Sequence, residues 1–265
     1  VFHMSVAGVA LATVISQALA ALLVCITLMK EPDATHLDLH KLRIDRAMAM
    51  EIIRIGVPAG LQGMAFSLSN VVVQSSINSF GSSVIVAGNS ASNNIENFVY
   101  IGMSAFTQAC ITFTSQNVGA QNLKRVKSIF NHSMVLTTLS AMLMGFLVWF
   151  FGESLLAFYT SVVEAGMLRL FWVSMFLFLN GILDVFVSSL RGMGYSSLPT
   201  IVMLVGICGV RLLWLLLIFP MHRTLTIIYL CFPLSWTITS IVLGFIWLYC
   251  YRHMLRTNGQ QAQNA

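Results

Sequence analysis

Long runs of apolar residues, separated by short polar stretches, make up most of this chain. Each run reaches or approaches the roughly 20 residues with which a helix crosses the hydrocarbon core of a bilayer. The apolar residues come in blocks and do not alternate with polar residues at a period of two, a pattern that disfavours a membrane β-barrel. We therefore predict an all-α, polytopic transmembrane helical bundle with about seven spans. The predicted spans are residues 5–29, 52–78, 83–113, 133–151, 165–190, 198–220 and 225–251.

The composition agrees with a membrane location and excludes some functions. Hydrophobic residues make up 57% of the 265 residues and charged residues only 9%, whereas a soluble domain usually has about 25% charged residues. The five cysteines fall inside predicted spans and form no CxxC pair, so neither a zinc site nor a disulfide framework is indicated. The sequence has neither a GxSxG nor an HExxH motif, and nothing in it indicates an enzyme.

The first apolar run begins at Val1, without an initiator methionine or a basic segment before it. Its apolar core is too long for a signal peptide. We therefore expect this run to be a transmembrane helix, and we expect further helices upstream of Val1.

Basic residues are distributed unevenly between the two sides of the predicted bundle. Of the 14 lysines and arginines, eleven lie in connections on one side and only Arg223 lies on the other, while Arg169 and Arg211 fall within spans. By the positive-inside rule the basic side is cytoplasmic, and the C-terminus lies on that side. This placement explains the net charge of +5, which therefore does not indicate nucleic-acid binding.

The longest polar connection, residues 30–51, contains the helix-stopping cluster Glu31-Pro32-Asp33. His36 and His40 have a spacing found in metal sites, but a solvated linker explains the same residues. At the end of the connection an apolar stripe predicts a short amphipathic helix on the inner leaflet. The stripe consists of Ile44, Met48, Ile52 and Ile55.

Three predicted spans carry polar side chains along one helical face. Because lipid-facing surfaces do not favour polar groups, such stripes mark helix contacts or a water-filled cavity. We predict a shared hydrophilic cavity, although hydrogen bonding between helices without a ligand is the alternative. The predicted cavity residues are Gln62, Ser67, Asn70 and Gln74 in the second span, Asn89, Asn93, Asn97 and Tyr100 in the third, and Asn180 and Ser188 in the fifth.

Two carboxylates, Glu96 and Asp184, lie within these stripes. A charged acid near the bilayer centre costs roughly 2.5 to 3.5 kcal/mol on insertion scales, so it is tolerated when it is protonated, paired or coordinating a cation. Both residues are therefore candidates for a site that binds a coupling ion. The competing explanation is a static pair of either acid with Arg211 as a structural charge partner.

Short motifs in a fixed order give the chain a resemblance to a known family. Ile55-Gly-Val-Pro-Ala-Gly-Leu-Gln62 resembles the start of the seventh helix of multidrug and toxic compound extrusion (MATE) transporters. Asn93-Asn-Ile-Glu96 and Ser115-Gln-Asn-Val-Gly-Ala120 are similar to that family's eighth helix and the loop after it. Leu190-Arg-Gly-Met-Gly194 resembles its LRGxG turn after helix ten, and Gly209-Val-Arg211 is similar to a part of helix eleven that often contains an arginine.

The resemblance covers nearly the whole chain and implies one lobe of a twelve-helix, two-lobed transporter plus one helix. Residues 1–29 would be the final helix of a missing N-terminal lobe, and residues 30–51 a cytoplasmic interlobe linker with its amphipathic helix. Residues 52–252 would be the C-terminal six-helix lobe, and residues 253–265 a cytoplasmic tail. The implied location is a bacterial inner (plasma) membrane, with the lipid bilayer and the N-terminal lobe of the same protein as partners.

Such proteins exchange organic cations or other drugs for Na⁺ or H⁺ by alternating access, and this is the function that the resemblance implies. Asp184 matches an acidic residue of helix ten that some members use as a cation ligand. Those members often also have a glutamate in helix seven, whereas the second span here has no acid. Glu96 is our candidate for a substitute. No cofactor other than the coupling ion is expected.

Two alternatives to drug export remain at this point. The first is a flippase for lipid-linked oligosaccharides or polysaccharides, of the same wider superfamily. It would need a basic cavity for pyrophosphate, whereas the candidate residues are polar and acidic, with Arg211 as the lone opposing feature. The second is a non-transporting membrane scaffold.

Overall fold

The computed structural model describes residues 6–30, 43–157 and 163–264, and the regular secondary structure in these ranges is helical throughout. The predicted all-α fold is therefore confirmed. The cluster Glu31-Pro32-Asp33, His36 and His40 lie outside the described residues.

Ten α-helices and two π-helical segments make up the described parts of the chain. The first half contains α1 (Val6–Lys30), α2 (Arg46–Asn78), α3 (Ser83–Gly119), α4 (Leu123–Phe150) and α5 (Gly152–Ala157). The second half contains α6 (Val163–Arg169), the first π-helical segment (Leu170–Ser174), α7 (Leu177–Gly192), α8 (Ser197–Met203), the second π-helical segment (Leu204–Gly209), α9 (Val210–Leu217) and α10 (Leu225–Asn264).

The chain divides into two compact units, Val1–Ile52 and Ile53–Ala265. In the first unit, α1 is an apolar helix of 25 residues whose side chains are mostly exposed, as suits contact with lipid. The second unit contains the hydrophobic core. At its centre lies α7, which packs against α3, α4 and α10.

Five of the helical stretches are long and apolar enough to cross a membrane, and α6 with α7 makes a sixth if this pair, bent by 42°, is one span. The prediction of about seven spans differs from this number at one element, α3. This helix has 37 residues, which is ample length for a span. Its polar stripe, however, leaves α3 outside the set of candidate spans.

The fourth predicted span begins earlier than the sequence pattern suggested. Helix α4 starts at Leu123 and not near residue 133, so Lys124, Arg125 and Lys127 lie in its first two turns with their side chains exposed. Much of the stretch that the predicted spans leave between residues 113 and 133 is therefore helical. A helix that extends past the hydrocarbon region keeps its charged side chains in water, and a hydropathy pattern does not distinguish such turns from a loop.

The amphipathic stretch before the second predicted span is not a separate helix. Helix α2 begins at Arg46 and continues to Asn78, so residues 46–51 belong to the same helix as that span. Pro58 and Pro233 lie inside α2 and α10, respectively.

A close approach between α4 and the first π-helical segment depends on one glycine. Gly145 is buried in α4, and a methyl group added there would overlap the backbone carbonyl oxygen of Ser174. The two backbones can approach this closely because Gly145 has no side chain.

We therefore expect Gly145→Ala to lower the free energy of unfolding by about 1 to 3 kcal/mol, as overpacking of a core does. The matched control is Gly60→Ala in α2, where an added methyl group meets open space and helix propensity favours alanine by about 0.5 to 1 kcal/mol. The thermal midpoint of the full-length protein in detergent measures both effects. An unchanged or raised midpoint for Gly145→Ala would contradict the close approach.

Candidate functional site

Arg169, at the end of α6, is the centre of a buried polar cluster. It is 5% exposed, and its guanidinium binds both carboxylate oxygens of Glu96: Nε donates to Oε1 at 3.0 Å and Nη2 donates to Oε2 at 2.7 Å. Nη1 also donates to Asn89 Oδ1 at 2.7 Å, and Nη2 donates to Asn93 Oδ1 at 2.9 Å. A bidentate pair of this kind fixes the orientation of both side chains as well as their charge.

The α-helical repeat explains why α3 supplies all the partners of Arg169. Asn89, Asn93 and Glu96 are spaced by four and three residues, so their side chains lie on one face of α3. That face is the polar stripe predicted from the sequence. One part of the stripe therefore binds a buried arginine, which is the interhelical hydrogen bonding that the sequence had left as an alternative.

The structure corrects the predicted partner of Glu96. The sequence predicted Arg211 as the structural charge partner of Glu96 or Asp184, but Glu96 pairs with Arg169. Arg211 donates instead to two uncharged side chains, Ser235 and Asn70. The signal in the sequence for Arg169 is its position within a predicted span, because a charged residue inside a span is by default a candidate for a functional site.

A cavity of about 440 Å³ opens beside this cluster. Its wall combines polar side chains from α2, α3 and α7 with aromatic and aliphatic side chains, among them Phe66, Phe232 and Trp236. Eight of the predicted residues line it: Gln62, Asn70, Asn93, Glu96, Asn97, Tyr100, Asn180 and Asp184.

Four other predicted residues lie outside this cavity. Gln74 and Asn89 line a neighbouring cavity of about 440 Å³, where the Asn89 amide donates to Gln74 Oε1 at 2.9 Å. Ser67 is exposed on α2 and Ser188 is half-buried on α7. Neither serine is among the residues that line these two cavities.

Asp184 differs from Glu96 in having no salt bridge within the described part of the chain. Its Oδ2 accepts a hydrogen bond of 3.4 Å from the Asn180 amide, one helical turn before it on α7. It also interacts with the Tyr100 hydroxyl of α3 and, through charge, with Arg191. Asp184 is partly exposed and lines the cavity. The carboxylate therefore has oxygen-bearing neighbours and room for a small cation.

The wall of the cavity carries more basic side chains than the sequence predicted. Three arginines, Arg169, Arg191 and Arg211, line the same wall as the two carboxylates. Arg191 donates to Gln62 Oε1 at 2.6 Å, which joins the end of α7 to α2. Arg211 is therefore not the lone basic group of the cavity, which corrects the expectation from the sequence. Arg191, in the motif that resembles the LRGxG turn, lies in the last turn of α7 and reaches the cavity.

Comparison with known proteins agrees with the motifs and with the fold. The model of the MatE family matches residues 58–216, which is more than half of the chain. The chain belongs to the MatE family.

Curated relatives are about a quarter identical to this MatE chain over the residues that align. It is 25% identical over 210 residues to the "Probable multidrug resistance protein YoeA" of Bacillus subtilis (strain 168), covering 77% of this chain and 45% of the relative. It is 24% identical over 215 residues to the "Probable multidrug resistance protein NorM" of Thermotoga maritima, covering 79% and 46%, respectively. The MatE chain thus spans about half the length of these relatives.

Solved structures share the fold of this MatE chain at low sequence identity. One is the outward-facing conformation of a multidrug resistance MATE family transporter of the MOP superfamily, with a TM-score of 0.82, 16% identity, and coverage of 96% of this chain and 58% of that one. Another is a MOP superfamily transporter from Pyrococcus furiosus, whose reported reverse polarity of the binding pocket suggests a different function. Its TM-score is 0.84 at 16% identity, with 95% and 57% of the two chains covered.

The buried pair of Glu96 and Arg169 predicts that single substitutions destabilise the protein more than their combination would suggest. Removing one partner leaves an uncompensated buried charge, so Glu96→Gln or Arg169→Met in this MatE protein should each destabilise it by about 3 to 5 kcal/mol. The double variant that combines Glu96→Gln with Arg169→Met should cost less than the sum of the two single changes, because it removes both charges together.

Thermal midpoints of the full-length protein in detergent, with and without each substitution, measure these effects. Glu153→Gln is the matched control, since Glu153 is exposed in the first turn of α5, and it should leave the midpoint nearly unchanged. Strictly additive losses in the double variant would show that the two residues do not act as a pair.

Proposed function

We propose that this chain is the C-terminal lobe and the preceding helix of an efflux transporter that exports small molecules in exchange for Na⁺ or H⁺. Membership of the MatE family and the names of the curated relatives, several of which are called multidrug resistance proteins, support export as the activity. The coverage of about half of those relatives agrees with one lobe of a two-lobed protein, whose second lobe would close the cavity from the other side.

The observation that carries the coupling proposal is that one of the two acids, Glu96, has a salt bridge and the other, Asp184, has none among the described residues. Glu96 is bound on both oxygens by Arg169, which already compensates its charge. Asp184 has no salt bridge among the described residues, is partly exposed and lines the cavity. We therefore assign ion coupling to Asp184 and a structural role to Glu96, which narrows the pair of candidates taken from the sequence to one.

Asp184 would couple ion and substrate through the balance between two access states. A ligand shifts a conformational equilibrium only by the difference between its affinities for the two states. Na⁺ or H⁺ bound at Asp184 would change the charge of a cavity wall that the substrate also contacts. It would also change the hydrogen bonds that Asp184 makes with Tyr100 and Asn180. Ion binding would thereby favour one access state, and substrate binding the other.

A lipid-linked saccharide flippase is the second candidate, and one observation favours it more than the sequence did. The cavity has three arginines, and a pyrophosphate group requires basic partners. Arg169 is occupied by Glu96, however, and Arg191 faces Asp184, so the cavity does not offer a cluster of free cations. The export proposal therefore stays first.

Asp184→Asn in the full-length protein should abolish ion-driven export while leaving the protein folded. The substitution keeps the size and one acceptor oxygen of the side chain and removes the negative charge that attracts the cation. Export of a fluorescent dye from proteoliposomes, driven in turn by a Na⁺ gradient and by a H⁺ gradient, measures the effect and identifies the ion.

Glu164→Gln serves as the matched control, because Glu164 is an exposed acid at the start of α6. It should export at the wild-type rate. Full ion-driven export by the Asp184→Asn protein would remove Asp184 from the coupling mechanism, and absence of dye export by the wild-type protein would remove the export proposal itself. A non-transporting scaffold would give this second result.

The proposed topology places the C-terminus in the cytoplasm of a bacterial inner membrane. A fluorescent protein fused at the C-terminus should fluoresce, and alkaline phosphatase fused there should be inactive, because the phosphatase folds only outside the cytoplasm. Phosphatase fused after Arg223, in the connection assigned to the opposite side, is the control and should be active. The reverse pattern would contradict the orientation drawn from the basic residues.

A further inference from the structure

Arg211 is a buried cation for which the described part of the chain offers no carboxylate partner. It is 3% exposed, and its Nε donates to Ser235 Oγ at 3.2 Å. Its second bond, from Nη1 to Asn70 Oδ1, is long at 3.5 Å. A guanidinium carries five N–H donors in a planar fork, so most of the donors of Arg211 have no acceptor among these side chains.

Comparison with Arg169 shows that this is a specific property of Arg211 and not a general feature of the fold. The same bundle gives Arg169 two carboxylate oxygens and two amide oxygens as acceptors. Arg211 receives only neutral partners. Its guanidinium carbon lies 4.3 Å from the centre of the Phe232 ring, and that of Arg169 lies 5.6 Å from the same ring. Two cations thus share one aromatic ring, and among the described residues the only acid bound to either of them is Glu96.

The aromatic contacts of Arg211 hold its donors in a defined position. The guanidinium packs on Phe232 and lies 5.9 Å from the ring centre of Trp236, one turn later on α10. A contact of this kind stabilises the cation through the face of the aromatic ring and supplies no oxygen acceptor to the N–H groups. Arg211, Phe232 and Trp236 all line the 440 Å³ cavity, whose volume is within the range of sites for drug-sized molecules.

The other charged groups of the cavity do not fill this role. Glu96 is bound by Arg169, and Asp184 interacts with Arg191. A ligand with a single negative charge would give Arg211 its missing acceptor and would reduce the repulsion between Arg211 and Arg169. A pyrophosphate would need further free cations, which this wall does not provide.

We propose that Arg211 binds a carboxylate or another singly charged oxyanion of the transported molecule, whose apolar body lies against Phe232 and Trp236. The preferred substrates are then amphipathic aromatic molecules with one anionic group, including zwitterions, and not simple organic cations. This inference rests on the proposed export function, since it names the substrate class of the same cavity.

The test uses a pair of dyes that differ in one group, a rhodamine with a free carboxylate and its methyl ester. Binding of each dye to the full-length protein in detergent is measured by fluorescence anisotropy without any ion gradient. Wild-type protein should bind the acid about tenfold more tightly than the ester, because the ester lacks the charge that strengthens hydrogen bonds from a guanidinium. Arg211→Gln should weaken acid binding by about tenfold and ester binding by less than about twofold.

The controls separate loss of the site from loss of the fold. Arg125→Gln removes an exposed arginine that lines a different cavity, and it should leave the preference for the acid unchanged. Arg211→Lys keeps the charge without the planar fork and should give an intermediate preference. If Arg211→Gln does not fold, the wild-type comparison and Arg211→Lys still decide the question.

Equal wild-type affinities for acid and ester would overturn the inference, and so would an equal loss of both affinities in Arg211→Gln. Ion-driven transport of the two dyes in proteoliposomes is then measured separately. Transport without preference for the acid would leave the export function standing and reject the role of Arg211. Preferential binding of the acid without transport would support the role of Arg211 as a binding site and reject export.

Discussion

The interaction on which the rest of the site depends is the burial of the Arg169 guanidinium against α3. A charged side chain in the hydrocarbon region of a membrane costs roughly 2.5 to 3.5 kcal/mol on insertion scales unless it is compensated. Compensation here requires Glu96 on both of its oxygens together with Asn89 and Asn93. One face of α3 must therefore be polar and must face α6. The same requirement accounts for the polar stripe of α3, which is not among the candidate membrane spans.

This pairing also determines which charges remain available in the cavity. Since Glu96 is paired with Arg169, Asp184 is the cavity acid without a salt bridge, and Arg211 is a cavity arginine without one, among the residues that the structure describes. Had Glu96 paired with Arg211, one of the pairs that the sequence suggested, Arg169 would be the cation without an acid and its donors would lie at the end of α6. The distribution of charge over the wall thus follows from one choice of partner.

The sequence was sufficient to predict the helices and the polar faces, because both depend on local periodicity. Eight of the predicted residues meet in one cavity since spacings of three and four residues place them on single faces of α2, α3 and α7. The partner of Glu96 could not be predicted in this way. Arg169 and Arg211 are both single arginines in apolar stretches, and the packing that distinguishes them joins residues more than 70 positions apart. The start of α4 was mistaken for a loop because exposed lysines look alike on a projecting helix and in a connection.

Small residues lie at the contacts of the two π-helical segments that adjoin the arginines of the cavity. Arg169 directly precedes Leu170–Ser174, and Arg211 follows Leu204–Gly209 after one residue. A π-helical turn contains an extra residue and so rotates the side chains that come after it, here Arg211, relative to a regular α-helix. Gly145 allows α4 to approach the first segment at Ser174, and Gly206 in the second segment lies against Thr239 of α10.

Thr239 in turn donates to the Ser235 carbonyl, and the Ser235 hydroxyl accepts from Arg211. A larger side chain at position 206 would push the segment away from α10, where Phe232 and Trp236 hold the guanidinium. The direction in which Arg211 points is therefore determined by backbone packing several residues away, which is a property that no local sequence pattern encodes.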